Sequence, residues 1–415
     1  MNNPKVLIVC EHASNAFGGE AVLPLNYFLL LSARLPHVFL LTHERTKKNL
    51  ESIPGINHVG IYYIPDTWLH KLLNALSSKL PDRIASISSG ALLHLVTQIY
   101  QLKMARQIVR KHAIDIIHEP APVSPKQPSM MFSLGVPVII GPMNGGMSFP
   151  PAFNYMTGRI ERLMYGVIRA LSSIYNVLIP GKLFSSLLLV ANQRTKQALP
   201  LFKLGQVDEL VENGVFTSIV RLKPKTANSS DSINVLYVGR LIDLKAIDIV
   251  IDAISVCHHP NLKLTVVGDG PERMKLEKLA NTIAPGKVRF LGAIPHANII
   301  DCYDSADIFV LASVRECGGA VVLEAMARGL PVIATNWGGP ADYVTRDTGI
   351  LIDPISREYM ITEFAQNIDM LASRPELRMQ YGEAALEHIS KNFLWENKAD
   401  IMIQLYKSIL TSKNS

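Results

Sequence analysis

Residues 308–335 read IFVLASVRECGGAVVLEAMARGLPVIAT, and their pattern decides the fold class. The runs FVLAS and PVIAT are short and apolar, as strands are, and the intervening VVLEAMARGL has the composition of a helix. A strand, a crossover helix and a second strand predict a parallel pair in one sheet. The loop VRECGGA leaves the first strand and carries the polar residues, so we expect functional groups at the carboxyl end of this sheet.

The same alternation of apolar runs and amphipathic helical stretches extends along the whole chain. The predicted strands are KVLIVC, HVFLLT, HVGIYYI, IDIIHE and PVIIGP in the first half, and INVLYVGR, LKLTVVGD, KVRFLG, IFVLAS and PVIATN in the second. A polar stretch rich in lysine and serine lies between the halves. We therefore predict an α/β protein with two tandem doubly wound parallel-sheet (Rossmann-like) domains facing a shared cleft.

The length of 415 residues is too great for one ordinary core and agrees with two domains. The expected boundaries are an N-terminal domain at 1–205, a linker at 206–232, a C-terminal domain at 233–390 and a closing segment at 391–415. The closing segment is FLWENKADIMIQLYKSIL and its flanking residues, which we expect to form a helix that returns to the first domain.

Charge is distributed unevenly between the halves. Residues 1–200 contain 19 Lys and Arg against 9 Asp and Glu, whereas residues 201–415 contain 22 against 26. A basic half favours anionic lipid or a phosphorylated small molecule, and the lack of a basic run or an RNA-binding aromatic motif argues against nucleic acid. The four cysteines lack the spacing of a zinc site or a disulfide framework, and we expect a cytoplasmic protein without a signal peptide or a transmembrane helix.

Two carboxylates flank the glycines of the loop at 315–319. Glu316 is expected on the loop, and Glu324 in the first turn of the following helix, where free N–H groups favour anions. Two carboxylates beside a bound phosphate make sense only if each accepts hydrogen bonds from hydroxyls, such as those of a ribose and a sugar ring. A capping glutamate would explain Glu324 alone but not the pair.

Arg240 and Lys245 follow the first predicted strand of the second half, in YVGRLIDLKAIDIVIDA. A guanidinium binds phosphate oxygens with two N–H groups and an ammonium adds a mobile charge, so the two suit a diphosphate whose charge grows as a bond breaks. Isolated Arg and Lys residues are more often found on a solvated helix face. The position of Arg240 at the end of a strand, directly after a glycine, argues against that alternative.

Three further motifs follow predicted strands of the first half. Gly18 and Gly19 would let backbone N–H groups approach a phosphate, although a glycine pair is equally typical of a tight turn. His118 ends IDIIHEP and suits either a ligand contact or a hydrogen-bonded structural role. The loop GPMNGGMSFPPAF, residues 141–153, fits either a site lining or a rigid surface loop.

Taken together, the motifs resemble those of the family 4 retaining glycosyltransferases of the GT-B fold, over nearly the whole chain. The motifs are GG at 18–19, HEP at 118–120, GRLIDLK at 239–245, VVGDGPE at 266–272, VRFLG at 288–292, E-x7-E from Glu316 to Glu324, GLPVIAT at 329–335 and GGP at 338–340. Two departures are Ala246, where the family usually has glycine, and CGGA after Glu316, where a bulky residue often precedes the glycine.

The resemblance implies a role for each matched residue. Arg240 and Lys245 are expected to hold the donor diphosphate in place of a metal ion, and Glu324 the nucleotide ribose. Glu316 and His118 are expected to contact the transferred sugar. The remaining residues that the resemblance places at the donor are Gly18, Gly19, Ile294, Cys317, Gly318, Gly319, Val322 and Leu323.

The resemblance thus implies a metal-independent enzyme that moves a sugar from a nucleotide-sugar donor, UDP before GDP, to a hydroxyl acceptor. It requires no cofactor. Polysaccharide or glycolipid biosynthesis is the expected setting. The alternatives are a sugar-nucleotide epimerase or hydrolase on the same scaffold, and a catalytically silent sugar-nucleotide-binding partner. Fold alone does not separate them.

A basic and apolar stretch at 157–189 suggests where the protein works. It places Arg159, Arg162, Arg169 and Lys182 among large apolar residues, with Glu161 as its one acid. That composition fits an amphipathic element at an anionic membrane surface or a pair of core-facing helices with a basic edge. Because many relatives act on lipid-linked acceptors, we expect peripheral association with the inner face of the membrane.

Overall fold

A computed structural model describes residues 3–77, 89–158, 171–223 and 232–412. By internal contacts the chain divides into two compact units. The first contains the described residues within Met1–Gly146, Leu163–Glu212 and Glu396–Ser415, and the second those within Met147–Arg162 and Asn213–Trp395. Each unit is built around one parallel sheet, so the predicted α/β class with two doubly wound domains is confirmed.

The sheet of the first unit has seven strands in the order β3-β2-β1-β4-β5-β6-β7. Its strands are β1 Val6–Val9, β2 Val38–His43, β3 Ile61–Ile64, β4 Ile116–Glu119, β5 Val138–Met143, β6 Leu187–Val190 and β7 Gln206–Glu209. Its helices are α1 Gly19–Ser32, α2 Lys47–Glu51, α3 Trp68–Ser77, α4 Ser89–His112, α5 Gly181–Phe184, α6 Gln193–Gln197 and the last helix of the chain, α14 Trp395–Ser412.

The sheet of the second unit has six strands in the order β10-β9-β8-β11-β12-β13. Its strands are β8 Ile233–Val238, β9 Leu262–Val267, β10 Val288–Gly292, β11 Ile308–Leu311, β12 Val332–Thr335 and β13 Gly349–Ile352. Its helices are α7 Ile247–Val256, α8 Arg273–Ile283, α9 His296–Ser305, α10 Ala320–Ala327, α11 Gly339–Tyr343, α12 Arg357–Ser373 and α13 Pro375–Asn392.

Burial explains why the central strands are mainly apolar and do not alternate between apolar and polar residues. All four residues of β11 and all four of β12 are fully buried, because helices cover both faces of a parallel sheet. Each such Val, Leu or Ile side chain contributes roughly 1.5–3 kcal/mol on removal from water. The buried strands are therefore held rigidly, and the loops that follow their carboxyl ends begin from fixed positions.

The predicted linker at 206–232 begins inside the first unit. Residues Gln206–Glu209 form β7, which pairs in parallel with β6, and the first unit continues to Glu212. The boundary at 205 is therefore wrong. The described residues from Met147 to Gly158 also group with the second unit, although they precede β6 and β7 of the first unit in the chain.

Part of the stretch expected at a membrane surface is core. Leu187–Val190 form the buried strand β6. Lys182 is fully buried and donates hydrogen bonds to the carbonyl oxygens of Ser124 and Pro125, both at 2.9 Å, so it cannot contact lipid. Arg159, Glu161, Arg162 and Arg169 lie outside the described residues. None of the helices in the described part of the chain has the length and apolarity needed to cross a bilayer.

The final helix, α14, groups with the first unit from Glu396 onward. Its Lys398 is buried and donates a hydrogen bond to the carbonyl oxygen of Val211. Asp400 accepts a hydrogen bond at 2.8 Å from Arg34, at the end of α1. These contacts, with that of Tyr406 described below, hold α14 against the first unit.

Candidate active site

The carboxyl end of β8 presents Arg240 to solvent. The strand ends at Val238, Gly239 follows, and Arg240 is exposed. The turn after the neighbouring strand β9 approaches so closely that a Cβ on Gly268 would lie 1.9 Å from the carbonyl oxygen of Gly239. Only glycine permits this approach. The guanidinium is therefore presented from a tightly packed sheet edge, as its predicted role with phosphate requires.

Lys245 ends a short 3₁₀ turn, Asp243–Lys245, that follows Arg240. The next residue, Ala246, adopts φ 47° and ψ 44°, in the left-handed region where glycine is favoured. Ala246 thus adopts a backbone conformation that glycine would adopt without steric cost. Helix α7 begins directly after it, and Lys245 points back toward the loop that follows β11.

Glu316 lies on that loop, and its carboxylate forms an ion pair with the Lys245 ammonium. The side chains are 13% and 18% exposed, so the pair is partly shielded from water. The loops after β8 and β11 are neighbours because these strands pair, and the Val314 N–H donates to the Leu244 carbonyl at 3.0 Å. The structure thereby brings together the residue predicted to bind phosphate and the one predicted to bind sugar.

Glycines shape the loop after Glu316. Gly319 has φ 74° and caps helix α10, while Cys317 is exposed and Gly318 half-buried. The Glu316 carbonyl accepts a hydrogen bond at 2.8 Å from the Gly339 N–H at the start of α11. The side chain of Glu316 is thus carried by a loop whose backbone is fixed on both sides.

Glu324 is the fifth residue of α10, so its predicted place in the first turn is wrong. Its carboxylate accepts a hydrogen bond at 2.8 Å from the hydroxyl of Tyr303 on α9. Tyr303 gave no sequence signal, because nothing in its local pattern distinguishes it from a core aromatic.

Two other residues expected at the donor have buried side chains. Val322 and Leu323 are fully buried in α10, and the Val322 N–H donates to the Gly319 carbonyl at 2.9 Å. The backbone N–H of Val322 is therefore already used in a hydrogen bond within the helix. Ile294 is half-buried and lies in the turn between β10 and α9, at the same edge of the sheet as Arg240.

The segment at 147–149 contacts the loops around Glu316, a role that sequence reasoning left undecided. The Trp337 indole N–H donates to the Ser148 carbonyl at 2.9 Å. The Arg315 guanidinium lies over the Phe149 ring at 5.2 Å, a cation–π geometry. A Cβ on Gly338 would come within 2.5 Å of the Met147 side chain. The segment thus packs against Arg315, which precedes Glu316, and against the loop that follows β12.

In the first unit, Gly18 and Gly19 lie at the start of α1. Gly18 has φ 90°, and a Cβ on either glycine would meet no atom within 4 Å. The left-handed backbone explains the glycine at 18. The open space around both is compatible with approach of a phosphate to the helix N-terminus, and their role stays a prediction.

The environment of His118 is that of a buried, hydrogen-bonded structural histidine. It is fully buried in β4, where its Nε2–H donates to the Gly141 carbonyl at 2.7 Å and its Nδ1 accepts from the Tyr406 hydroxyl at 2.8 Å. Burial lowers the pKa of the imidazole to about 4, so the ring is neutral. Both nitrogens are occupied, and the predicted contact with a sugar does not fit this geometry.

Among the described residues, His43, Asp66 and His70 form a group whose potential metal-ligating atoms lie within 4.8 Å of one another. Backbone N–H groups of Arg45 and Thr67 donate to the Nδ1 atoms of the two histidines, which places each ring proton on Nε2. The Arg45 guanidinium binds the Asp66 carboxylate at 2.7 Å. The donor set does not fit a metal, because the hydrogen bonds leave no histidine lone pair directed at one.

Residues 219–388 match the family model described as glycosyl transferases group 1. The matched segment contains Arg240, Lys245, Glu316 and Glu324, and the structure brings Lys245 and Glu316 of this set into contact. Residues 219–388 form a group 1 glycosyltransferase domain. The predicted family resemblance is confirmed for this part of the chain.

Curated proteins similar to this chain are named as glycosyltransferases. The D-inositol 3-phosphate glycosyltransferase of Corynebacterium urealyticum is 32% identical over 186 residues, which are 42% of this chain and 43% of that protein. The sulfoquinovosyl transferase of Arabidopsis thaliana is 27% identical over 263 residues, 62% of this chain and 49% of that protein. The alignments thus span less than half the length of these relatives.

Solved glycosyltransferase structures share the fold of the chain. A glycosyltransferase from Rickettsia africae has a TM-score of 0.65 at 18% identity, with 100% of each chain covered. HepE from Anabaena in complex with UDP has a TM-score of 0.65 at 17% identity, covering 97% of this chain and all of that one. The glycosyltransferase domain and the first unit together therefore have the GT-B fold.

Proposed function

We propose that this protein is a retaining, metal-independent glycosyltransferase that moves a sugar from a nucleotide-sugar donor to an acceptor hydroxyl. The observation that carries the proposal is the Lys245–Glu316 ion pair at the carboxyl ends of β8 and β11, beside the exposed Arg240. A cation for a diphosphate and a carboxylate for sugar hydroxyls are held in contact there, in a segment that matches the group 1 glycosyltransferase model.

In the proposed reaction, the bond between the anomeric carbon and the diphosphate oxygen breaks, and the acceptor oxygen bonds to that carbon from the same face. The nucleoside diphosphate leaves with the bonding electron pair and takes up the proton of the acceptor hydroxyl, directly or through solvent. Arg240 and Lys245 stabilise the negative charge that develops on the leaving group. Glu316 accepts hydrogen bonds from sugar hydroxyls and fixes the sugar relative to the acceptor.

Donor binding replaces the Lys245–Glu316 pair with new contacts to the same substrate. The ammonium turns to the diphosphate and the carboxylate to the sugar ring, so both charges keep a partner. A nucleoside diphosphate alone would satisfy Lys245 but leave Glu316 without sugar hydroxyls. The pair therefore favours the intact nucleotide sugar over the product, which assists product release.

We expect a UDP-sugar to be the donor, with a GDP-sugar as the next candidate, and the structures of HepE with UDP and with UDP-glucose support this order. Thermal-shift measurements with UDP, GDP and their sugar conjugates test it. A ligand at 100 times its dissociation constant adds about 2.7 kcal/mol of stability and raises the unfolding temperature visibly. Unchanged unfolding temperatures with every nucleotide would contradict the proposed donor class.

The acceptor is proposed to be lipid-linked, in polysaccharide or glycolipid synthesis at the cytoplasmic face of a membrane. Leu201, Phe202 and Leu204 are 77%, 61% and 74% exposed, and Lys203 between them is exposed as well. The Leu204 N–H donates to the Leu183 carbonyl, which places these side chains near Phe184, itself 58% exposed. Apolar side chains around a lysine suit insertion at an anionic interface.

Sedimentation with vesicles of anionic or neutral lipid tests the membrane contact. We expect binding to anionic vesicles at low salt that weakens at high salt, since each basic residue near such a surface contributes roughly 1 kcal/mol. Phe202→Ser should reduce binding, whereas Met274→Ser, a change at another exposed apolar residue of the chain, should not. No binding at low salt would indicate a soluble acceptor.

A further inference from the structure

Tyr303 contacts Glu324 from a neighbouring helix. Its hydroxyl lies 2.8 Å from a carboxylate oxygen of Glu324 and 3.5 Å from the Val321 carbonyl oxygen. A phenol has one proton, and the shorter bond to the charged oxygen receives it. Tyr303 therefore acts as a donor to Glu324.

Packing fixes the position of the phenol. Tyr303 is 1% exposed, and its ring lies against Phe309 of β11 with centroids 6.0 Å apart. A buried ring in a packed core has few alternative rotamers. The hydroxyl is thus held at one point, and the carboxylate that accepts from it is fixed in turn.

A second polar contact joins the same two helices. Arg328, one turn beyond Glu324, makes a bidentate ion pair with Asp304, in which Nε donates to one carboxylate oxygen at 2.9 Å and Nη2 to the other at 2.7 Å. Arg328 also donates to the Ile219 carbonyl at 2.7 Å. Helices α9 and α10 are therefore held in register by Arg328 without help from Tyr303, so removal of the phenol oxygen should leave the helix pair in place.

We propose that Tyr303 is a positioning residue for nucleotide binding, which orients the Glu324 carboxylate toward the ribose hydroxyls of the donor. The inference rests on the proposed function and deepens it. A carboxylate that must accept from two adjacent hydroxyls needs a defined plane, and a hydrogen bond to one of its oxygens restricts rotation about the last side-chain bond. Tyr303 itself does not touch the nucleotide.

The test compares two buried tyrosines of the second unit. Tyr303→Phe removes the hydroxyl that binds Glu324, and Tyr343→Phe is the matched control, because Tyr343 is also 1% exposed and its hydroxyl accepts from the Asn213 amide at 3.2 Å. Titration calorimetry with UDP and with GDP is performed on both variants and the wild type. Circular dichroism at the titration temperature verifies that each variant is folded.

We expect Tyr303→Phe to weaken binding of the preferred nucleotide by about 3- to 10-fold, the range for loss of one ordinary hydrogen bond, because the phenol acts on the nucleotide only through Glu324. The KM for the nucleotide sugar should rise by a similar factor, with kcat little changed, because a ribose contact exists in both the ground and the transition state. Tyr343→Phe should bind as the wild type does.

A double-mutant cycle gives the decisive comparison. If Tyr303 acts through Glu324, Tyr303→Phe has no further effect on nucleotide affinity once Glu324 is alanine. Unchanged affinity in Tyr303→Phe, equal losses in the two tyrosine variants, or additive losses in the double variant would each overturn the positioning role. A wild-type protein that binds neither nucleotide would instead overturn the proposed function on which this role rests.

Discussion

Replacement of Arg240 or Lys245 by alanine is expected to lower turnover of the nucleotide sugar by about 100-fold or more, the scale seen when one stabiliser of transition-state charge is removed. Both side chains lie at the carboxyl end of β8, and Lys245 is already directed at the predicted sugar carboxylate. The rate of nucleoside diphosphate release from the donor measures the effect. Neither variant should lose more than a small part of its thermal stability.

The matched control is Lys278→Ala, since Lys278 is an exposed lysine on α8 of the same unit. Its turnover should equal that of the wild type. EDTA should leave the wild-type rate unchanged, because the two cations are proposed to replace a metal ion. Loss of all activity on chelation, with recovery of activity on addition of manganese, would contradict the metal-independent mechanism.

Substitutions of the two glutamates are expected to separate binding from chemistry. Glu324→Ala should mainly weaken nucleotide binding, because the proposed ribose contact would be made in both the ground and the transition state. Glu316→Ala should mainly lower kcat, by about 100-fold, through misplacement of the sugar at the reacting carbon. Nucleotide titration isolates the first effect, and the separation of KM from kcat shows the second.

The Lys245–Glu316 ion pair allows a further distinction between the two glutamate variants, based on nucleotide affinity. Glu316→Ala frees the Lys245 ammonium, so affinity for the nucleoside diphosphate should be retained or increased while activity falls. Loss of nucleotide affinity in Glu316→Ala together with normal affinity in Glu324→Ala would mean that the assigned roles are reversed.

The apolar runs predicted ten of the strands, because buried parallel strands have a pattern that does not depend on distant residues. Among the described residues, three strands were missed for separate physical reasons. β6 lies in a long run of Leu, Ile and Phe that also fits a helix, and β7, Gln206–Glu209, is a polar edge strand. β13, Gly349–Ile352, begins with glycine and has only three apolar residues.

The site residues could be predicted where they lie on a loop directly after a strand. Contacts between residues that are far apart in the sequence could not be predicted. The spacing of Glu316 and the position of Arg240 after a strand located both residues at one sheet edge. The environment of His118 depends on Tyr406, 288 residues later in the chain. The partner of Glu324 likewise depends on Tyr303 in another helix. No local pattern encodes these contacts, which are made only when the chain folds.

The central claim is that this protein breaks the bond between sugar and diphosphate with its own cations. The most direct test is release of nucleoside diphosphate from the donor chosen by thermal shift, in EDTA and without added acceptor. We predict slow release by the wild-type protein that disappears in Lys245→Ala. A protein that binds the donor but releases no diphosphate above the buffer rate, with or without manganese, would contradict the account and indicate a silent sugar-nucleotide-binding protein.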